Sequence, residues 1–281
     1  MQPSAPATSA PARLLTAVSL AWVAAGAWAV FAVMSLLVAV DATQGVDDVL
    51  QRAAAAVARR ASQHASWLRG FSLDVARLGS VPVAAVVLVV VVVAFTLWRR
   101  NLWPAVLLGA TFVGVGLSVG GLKDLYHRPE PYDRAGALGF SYPSGHTAVA
   151  IAVWGGAALL IMLFTARRPS RAATTVAVLS AGVSVVVALA MIARSAHWVS
   201  DIIGGAALGI AWLATITVAL LVAGWQPARR RRSAETNVPV GATEPVGVDE
   251  DERRDHQQDD APAPAPQGAA HAHGRRHVPL R

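Results

Sequence analysis

The sequence predicts an all-α, polytopic membrane protein: a six-helix transmembrane bundle with an extra amphipathic segment between spans one and two. Three observations predict it. Hydrophobic residues make up 54% of the 281 and charged residues only 15%, with a mean hydropathy of +0.47, which is too apolar for an ordinary soluble domain. Six apolar runs are each long enough to cross about 30 Å of hydrocarbon as a helix. Arg13, Arg99-Arg100, Arg167-Arg168-Arg171 and Arg229 to Arg232 flank the runs on one side, while residues 41–80 on the other side carry five arginines among nearby acids.

Residues 1–12 are rich in Pro, Ala and Ser and are expected to be disordered. Leu14 to Val40 is almost uninterruptedly apolar and gives the first span; it is far longer than a signal-peptide core, so it reads as retained. Residues 41–80 carry Asp41, Asp47, Asp48, Arg52, Arg59, Arg60, Arg69, Asp74 and Arg77 among Ala, Leu and Val. Val46, Val49, Leu50 and Ala53 recur at helical spacing, which predicts an amphipathic helix on the membrane surface or packed over the bundle. The second span, Val81 to Trp98, is rich in valine, but an isolated strand in lipid would leave its backbone unpaired, so helix is predicted. Trp98 and Trp103 flank a short interfacial turn. The third span, Leu102 to Leu122, contains Gly109, Gly114, Gly116, Gly120 and Gly121, predicting close helix packing. Thr147 to Thr165, Ala172 to Ala193 and about Asp201 to Trp225 complete the six. A membrane domain over 13–225 is thus followed by a charged tail, 226–281, expected to be disordered.

An even number of spans puts both termini on one side. Arg13, Arg99-Arg100, Arg167-Arg168-Arg171 and Arg229 to Arg232 share that side, which makes it cytoplasmic. The net charge of +7 is therefore topological information and predicts no nucleic-acid partner. The chain has no cysteine, which excludes disulfides, thiolate chemistry and Cys-based metal sites. His271, His273 and His277 in the tail are expected to be solvated.

Three polar clusters fall at the extracytoplasmic ends of spans: Lys123 to Arg134, Ser141 to Thr147, and Arg194 to Asp201. In the second, Pro143-Ser144-Gly145-His146 opens directly into an apolar helix. Small residues there let backbone N–H groups approach an oxyanion, and the helix dipole favours negative charge. Taken alone, the stretch serves equally as a Pro-Ser helix cap. In the third, His197 and Asp201 are four apart and share a helical face, so the carboxylate can fix the imidazole tautomer and free the other nitrogen. With cations predominating and no carboxylate cage, phosphoryl transfer without metal or cofactor is the expected chemistry.

The order Lys…Arg-Pro, Pro-Ser-Gly-His, His-x-x-x-Asp over six spans resembles the type-2 phosphatidic acid phosphatase superfamily, across roughly residues 70–225. The resemblance implies His197 as nucleophile forming a phosphohistidine, Asp201 as its orienting partner and His146 as general acid. It implies Lys123, Ser144 and Gly145 as phosphate-binding residues, with Arg128 and Arg194 added as stand-ins for arginines found elsewhere in the family. Two positions depart from the family pattern. Glu130 stands where the first motif has arginine, two residues after Arg128, and Met191 stands where the third motif has arginine, one turn before Arg194. The expected function is a metal-independent cell-membrane phosphatase acting on a lipid phosphate or diphosphate at the outer face. Phosphotransfer to another acceptor and lipid binding without turnover are the alternatives. Transport is disfavoured because no charged residue lies mid-span.

Overall fold

The computed structural model describes residues 10–131, 139–166 and 170–225, with side chains from residue 14 onward. Every regular element among them is helical: α1 (Ala10–Ala39), α2 (Gln44–His64), α3 (Trp67–Arg77), α4 (Val81–Arg99), α5 (Trp103–Tyr126), α6 (Gly145–Ala150), α7 (Gly156–Thr165), α8 (Arg171–Ala193) and α9 (Val199–Val222). A π-helical turn, Ile151–Gly155, joins α6 to α7 into one span, Gly145–Thr165. With α1, α4, α5, α8 and α9 this makes six helices long and apolar enough to cross a membrane. The predicted all-α, six-span architecture is borne out. Of the residues expected to be disordered, 1–12 and 226–281, residues 10–12 belong to α1, and the others, including the three tail histidines, lie outside the described residues.

Span ends follow local chemistry. Pro82 and Pro104 sit in the first turns of α4 and α5, where a missing N–H costs nothing. Between them Arg100 adopts a left-handed conformation, and Asn101 Oδ1 accepts the N–H of Trp103 at 2.9 Å, turning the chain within three residues. Ser170 caps α8 by accepting the N–H of Ala173 at 3.1 Å.

Residues 41–80 form two helices, broken at Ala65–Ser66, and they pack over the bundle. Gln51 on α2, fully buried, donates from Nε2 to the carbonyl of Ile192 at 3.0 Å. Below α3, Val75 and Ala76 pack with Ala150, Val187, Ala190, Met191 and Ile202. At the opposite end of the bundle, Leu107, Leu108, Leu160, Phe164, Leu213 and Trp225 fill the space between spans.

Glycine does pack helices together, mostly on α9. A Cβ on Gly205 would stand 2.4 Å from the Ser144 carbonyl oxygen, and one on Gly204 would meet the Tyr142 ring at 2.7 Å. The glycines of α5 are a partial correction. Gly114 lies under the Trp212 ring, but Gly109, Gly116, Gly120 and Gly121 have open space beside them. Gly116 and Gly120 instead line a cavity.

Candidate active site

The cavity, of about 630 Å³, opens at the end of the bundle where α5 finishes and α6 and α9 begin. Its charged and polar lining is Lys123 from α5, Glu130, His146 from α6, Arg194 at the end of α8, His197, and Arg77 and Ser80 from the α3–α4 junction. Gly145, Val149 and Met191 line it as well. All three polar clusters therefore contribute to one space.

The histidines are held by backbone. Ser144 is the N-cap of α6, accepting the N–H of Thr147 on its side chain, so Gly145 and His146 occupy the first two helical positions. The Ser144 N–H donates to the carbonyl of Asp201 at 3.0 Å, tying the start of α6 to the first turn of α9. Gly205 permits that contact, as its missing Cβ leaves room for the Ser144 carbonyl. Gly79 does the same beside His146, where a Cβ would come within 2.6 Å of the histidine carbonyl oxygen. Two more residues brace this corner: Tyr142 is buried, its peptide bond to Pro143 is cis, and its hydroxyl shares a 2.8 Å hydrogen bond with Ser35 of α1. Burial pushes the Tyr142 phenol up to about 12, so it stays a neutral hydrogen-bonding group.

His197 and Asp201 are both buried, and their Nδ1 and Oδ2 atoms face each other at 3.6 Å, beyond hydrogen-bond length. His197 Nδ1 has no hydrogen-bond partner. Asp201 Oδ2 accepts the N–H of Trp198 at 2.9 Å, so the carboxylate reaches back to the N-cap of α9 from its third position. The helix thus begins at Val199, two residues before the sequence placed it.

Of the residues picked out from sequence, Lys123, Gly145, His146, Arg194 and His197 border the cavity, and Asp201 lies behind His197. Lys123 Nζ donates to the carbonyl of Phe140. Ser144 is fully buried and committed to its cap. Arg128 is 8% exposed and does not line the cavity. Its Nη1 donates to Asp201 Oδ1 and Ser200 Oγ, each at 2.6 Å, and its Nη2 donates to Asp47 Oδ2 at 2.8 Å and Thr43 Oγ1 at 3.1 Å. A guanidinium held by two carboxylates has little left for a substrate, so Arg128 is a structural cation behind the site.

Four residues were missed by the sequence reading. Gly79, Ser80 and Arg77 line the cavity, and Asp47 anchors Arg128. The first three precede the second span at the same membrane boundary as Lys123, a position that could have flagged them. Nothing in the local pattern separates Asp47 from Asp48.

Fold and cavity together define a multi-pass membrane protein with a two-histidine, cation-lined site at one membrane boundary. Residues 104–225 match the family model described as the PAP2 superfamily, so the resemblance read from the sequence is borne out over that segment, beginning at α5 and not at residue 70. A crystal structure described as the first transmembrane PAP2-type phosphatidylglycerolphosphate phosphatase, from Bacillus subtilis, is similar with a TM-score of 0.59. It is 20% identical and covers 69% of this chain and 94% of its own. A search of curated proteins found no match.

Proposed function

We propose that this protein is a metal-independent membrane phosphatase that hydrolyses a lipid phosphate or diphosphate through a phosphohistidine at the outer membrane face. The observation that carries the reading is the joint presence of His146, His197, Lys123 and Arg194 around one cavity at the end of an apolar bundle. The match over residues 104–225 supports the same class.

In this reading Lys123 and Arg194 hold the non-bridging phosphate oxygens, aided by the backbone at Gly145. The lone pair of His197 Nε2 forms a bond to phosphorus as the bond from phosphorus to the leaving oxygen breaks. His146 gives its proton to that oxygen. Water then attacks the phosphohistidine while His146 takes back a proton, which releases inorganic phosphate. The 3.6 Å gap between His197 and Asp201 closes as positive charge develops on the ring, since such bonds tighten toward the transition state. Met191 leaves an apolar patch where the family carries arginine, and Arg194, one turn on, supplies the charge at the same cavity.

The outer-face assignment rests on the positive-inside count: Arg99-Arg100 lie at the opposite end of the bundle from the cavity. Glu130 favours one second reading, a binder of phosphate lipids with little turnover, because it brings a carboxylate to the cavity where the family has arginine. The deciding experiment gives purified protein phosphatidic acid and undecaprenyl diphosphate in the presence of a chelator. Phosphate release that survives chelation and disappears in His197→Ala is expected. Binding of both lipids without release would favour the second reading.

A further inference from the structure

We infer that Asp47, on α2 and outside the family-matched segment, is a positioning residue for His197, acting through Arg128, Ser200 and Asp201. The inference rests on the reading of His197 as the nucleophile.

Asp47 is 2% exposed, in a helix whose neighbouring carboxylate Asp48 is only partly buried. Its Oδ1 accepts the backbone N–H of Ser200 at 3.0 Å, and its Oδ2 accepts the Ser200 hydroxyl at 2.5 Å. The second position of α9 therefore has its otherwise unpaired N–H capped by a side chain from another helix. That contact fixes the first turn of α9, whose N-cap, Trp198, directly follows His197. Asp47 Oδ2 also accepts Arg128 Nη2, while Arg128 Nη1 donates to Asp201 Oδ1.

The charge count gives the contact its chemical meaning. Arg128 and Asp201 alone would make a neutral pair. With Asp47 ionised, the buried cluster carries one net negative charge next to the unpartnered Nδ1 of His197. When Nε2 bonds to phosphorus, the imidazole keeps its proton at Nδ1 and becomes cationic. A fixed negative cluster stabilises that cation more than it stabilises the neutral ring before reaction. Lys123, His146 and Arg194 border the same cavity as His197 and oppose the cation when charged, and Glu130 favours it. Asp47 thus offsets Arg128, so that Asp201 still acts as a carboxylate toward His197.

Asp47→Asn removes the charge and keeps the shape. In detergent-purified full-length protein, kcat for phosphate release should fall by about tenfold or more while KM stays within about threefold. Affinity for orthovanadate, which takes the trigonal-bipyramidal shape of the transferring group, should fall in parallel with kcat, and inorganic phosphate affinity should hold. Gln51→Ala is the comparison: it loosens the same helix without touching Arg128, and should lower Tm yet leave kcat within about twofold. Unchanged kcat and vanadate affinity in Asp47→Asn, or equal losses in the Asp47 and Gln51 variants, would overturn the inference. Should Asp47→Asn fail to fold, Ser200→Ala removes only the bridging hydroxyl. It should lower kcat about threefold to tenfold at constant KM, and an unchanged kcat there also overturns the inference. Wild-type protein that binds vanadate without turnover leaves the vanadate comparison as the test of Asp47. Wild-type protein that does neither counts against the phosphohistidine reading, and the role of Asp47 falls with it.

Discussion

The two sides of His197 use charge in opposite ways. On the cavity side, Lys123 and Arg194 border an open space of about 630 Å³, and Glu130 adds a carboxylate. On the other side, Asp47, Arg128 and Asp201 are locked together at 2.6–2.8 Å with almost no solvent exposure. A cation whose hydrogen bonds are already taken by buried carboxylates cannot move toward a phosphate without leaving them unpaired. Lys123 and Arg194 border open space, where an incoming anion can reach them. The difference teaches that proximity in sequence to a phosphate motif does not decide what an arginine binds. Arg128 belongs to the scaffold, and Arg194 borders the cavity.

Mutations on the two sides should therefore fail differently. The largest effect is expected from His197→Ala, which should lower kcat by about four orders of magnitude while Tm changes little. Retained turnover would remove it from the chemistry. Next is Arg128→Ala, which leaves two carboxylates buried without their cation and should cost about 3–5 kcal/mol of stability, read from a thermal melt in detergent. If Arg128→Ala melts like wild type but loses phosphate affinity, the division between the two sides is wrong. Lys123→Ala should lower kcat/KM by about tenfold to a hundredfold with a smaller change in Tm than Arg128→Ala. The smallest effect is expected from Glu130→Gln. Removing a carboxylate from a cavity that Lys123 and Arg194 also border should lower KM for a phosphate substrate a few-fold, about two to five, and the gain should shrink as salt rises. A raised KM would mean that Glu130 holds Lys123 in place for the substrate.

The six spans were legible because each is a run of apolar residues near the thickness of the hydrocarbon core, a one-dimensional property that composition alone reveals. Their ends shifted by a few residues where caps intervened: α6 starts at Gly145 because Ser144 caps it, and α9 starts at Val199 because Asp201 reaches back to Trp198. His197 and Asp201 were expected to share a helical face, but His197 precedes Trp198, the N-cap of α9, and Asp201 approaches its ring at 3.6 Å from within the first turn. Arg128 looked like a phosphate ligand because its neighbours in sequence suggest one. Its partner Asp47 is 81 residues away on the segment expected to be an amphipathic helix on the membrane surface or over the bundle, and only packing singles it out. Gly116 and Gly120 of α5 misled for a similar reason: helix contact and cavity lining both favour a missing side chain.

The long first helix carries a consequence for biosynthesis. Trp28 on α1 donates to Thr215 on α9 at 3.0 Å, and its ring packs edge-on against Trp212, although 187 residues separate the bonded pair. At a synthesis rate of about 5–20 residues per second, α1 waits in the bilayer for about 10–40 s before its partner exists. Through that interval its unmatched indole N–H faces lipid or transient neighbours, whereas the Ser35 hydroxyl meets Tyr142 after only 107 residues. Among the described spans, the last to emerge is therefore the one that completes the first.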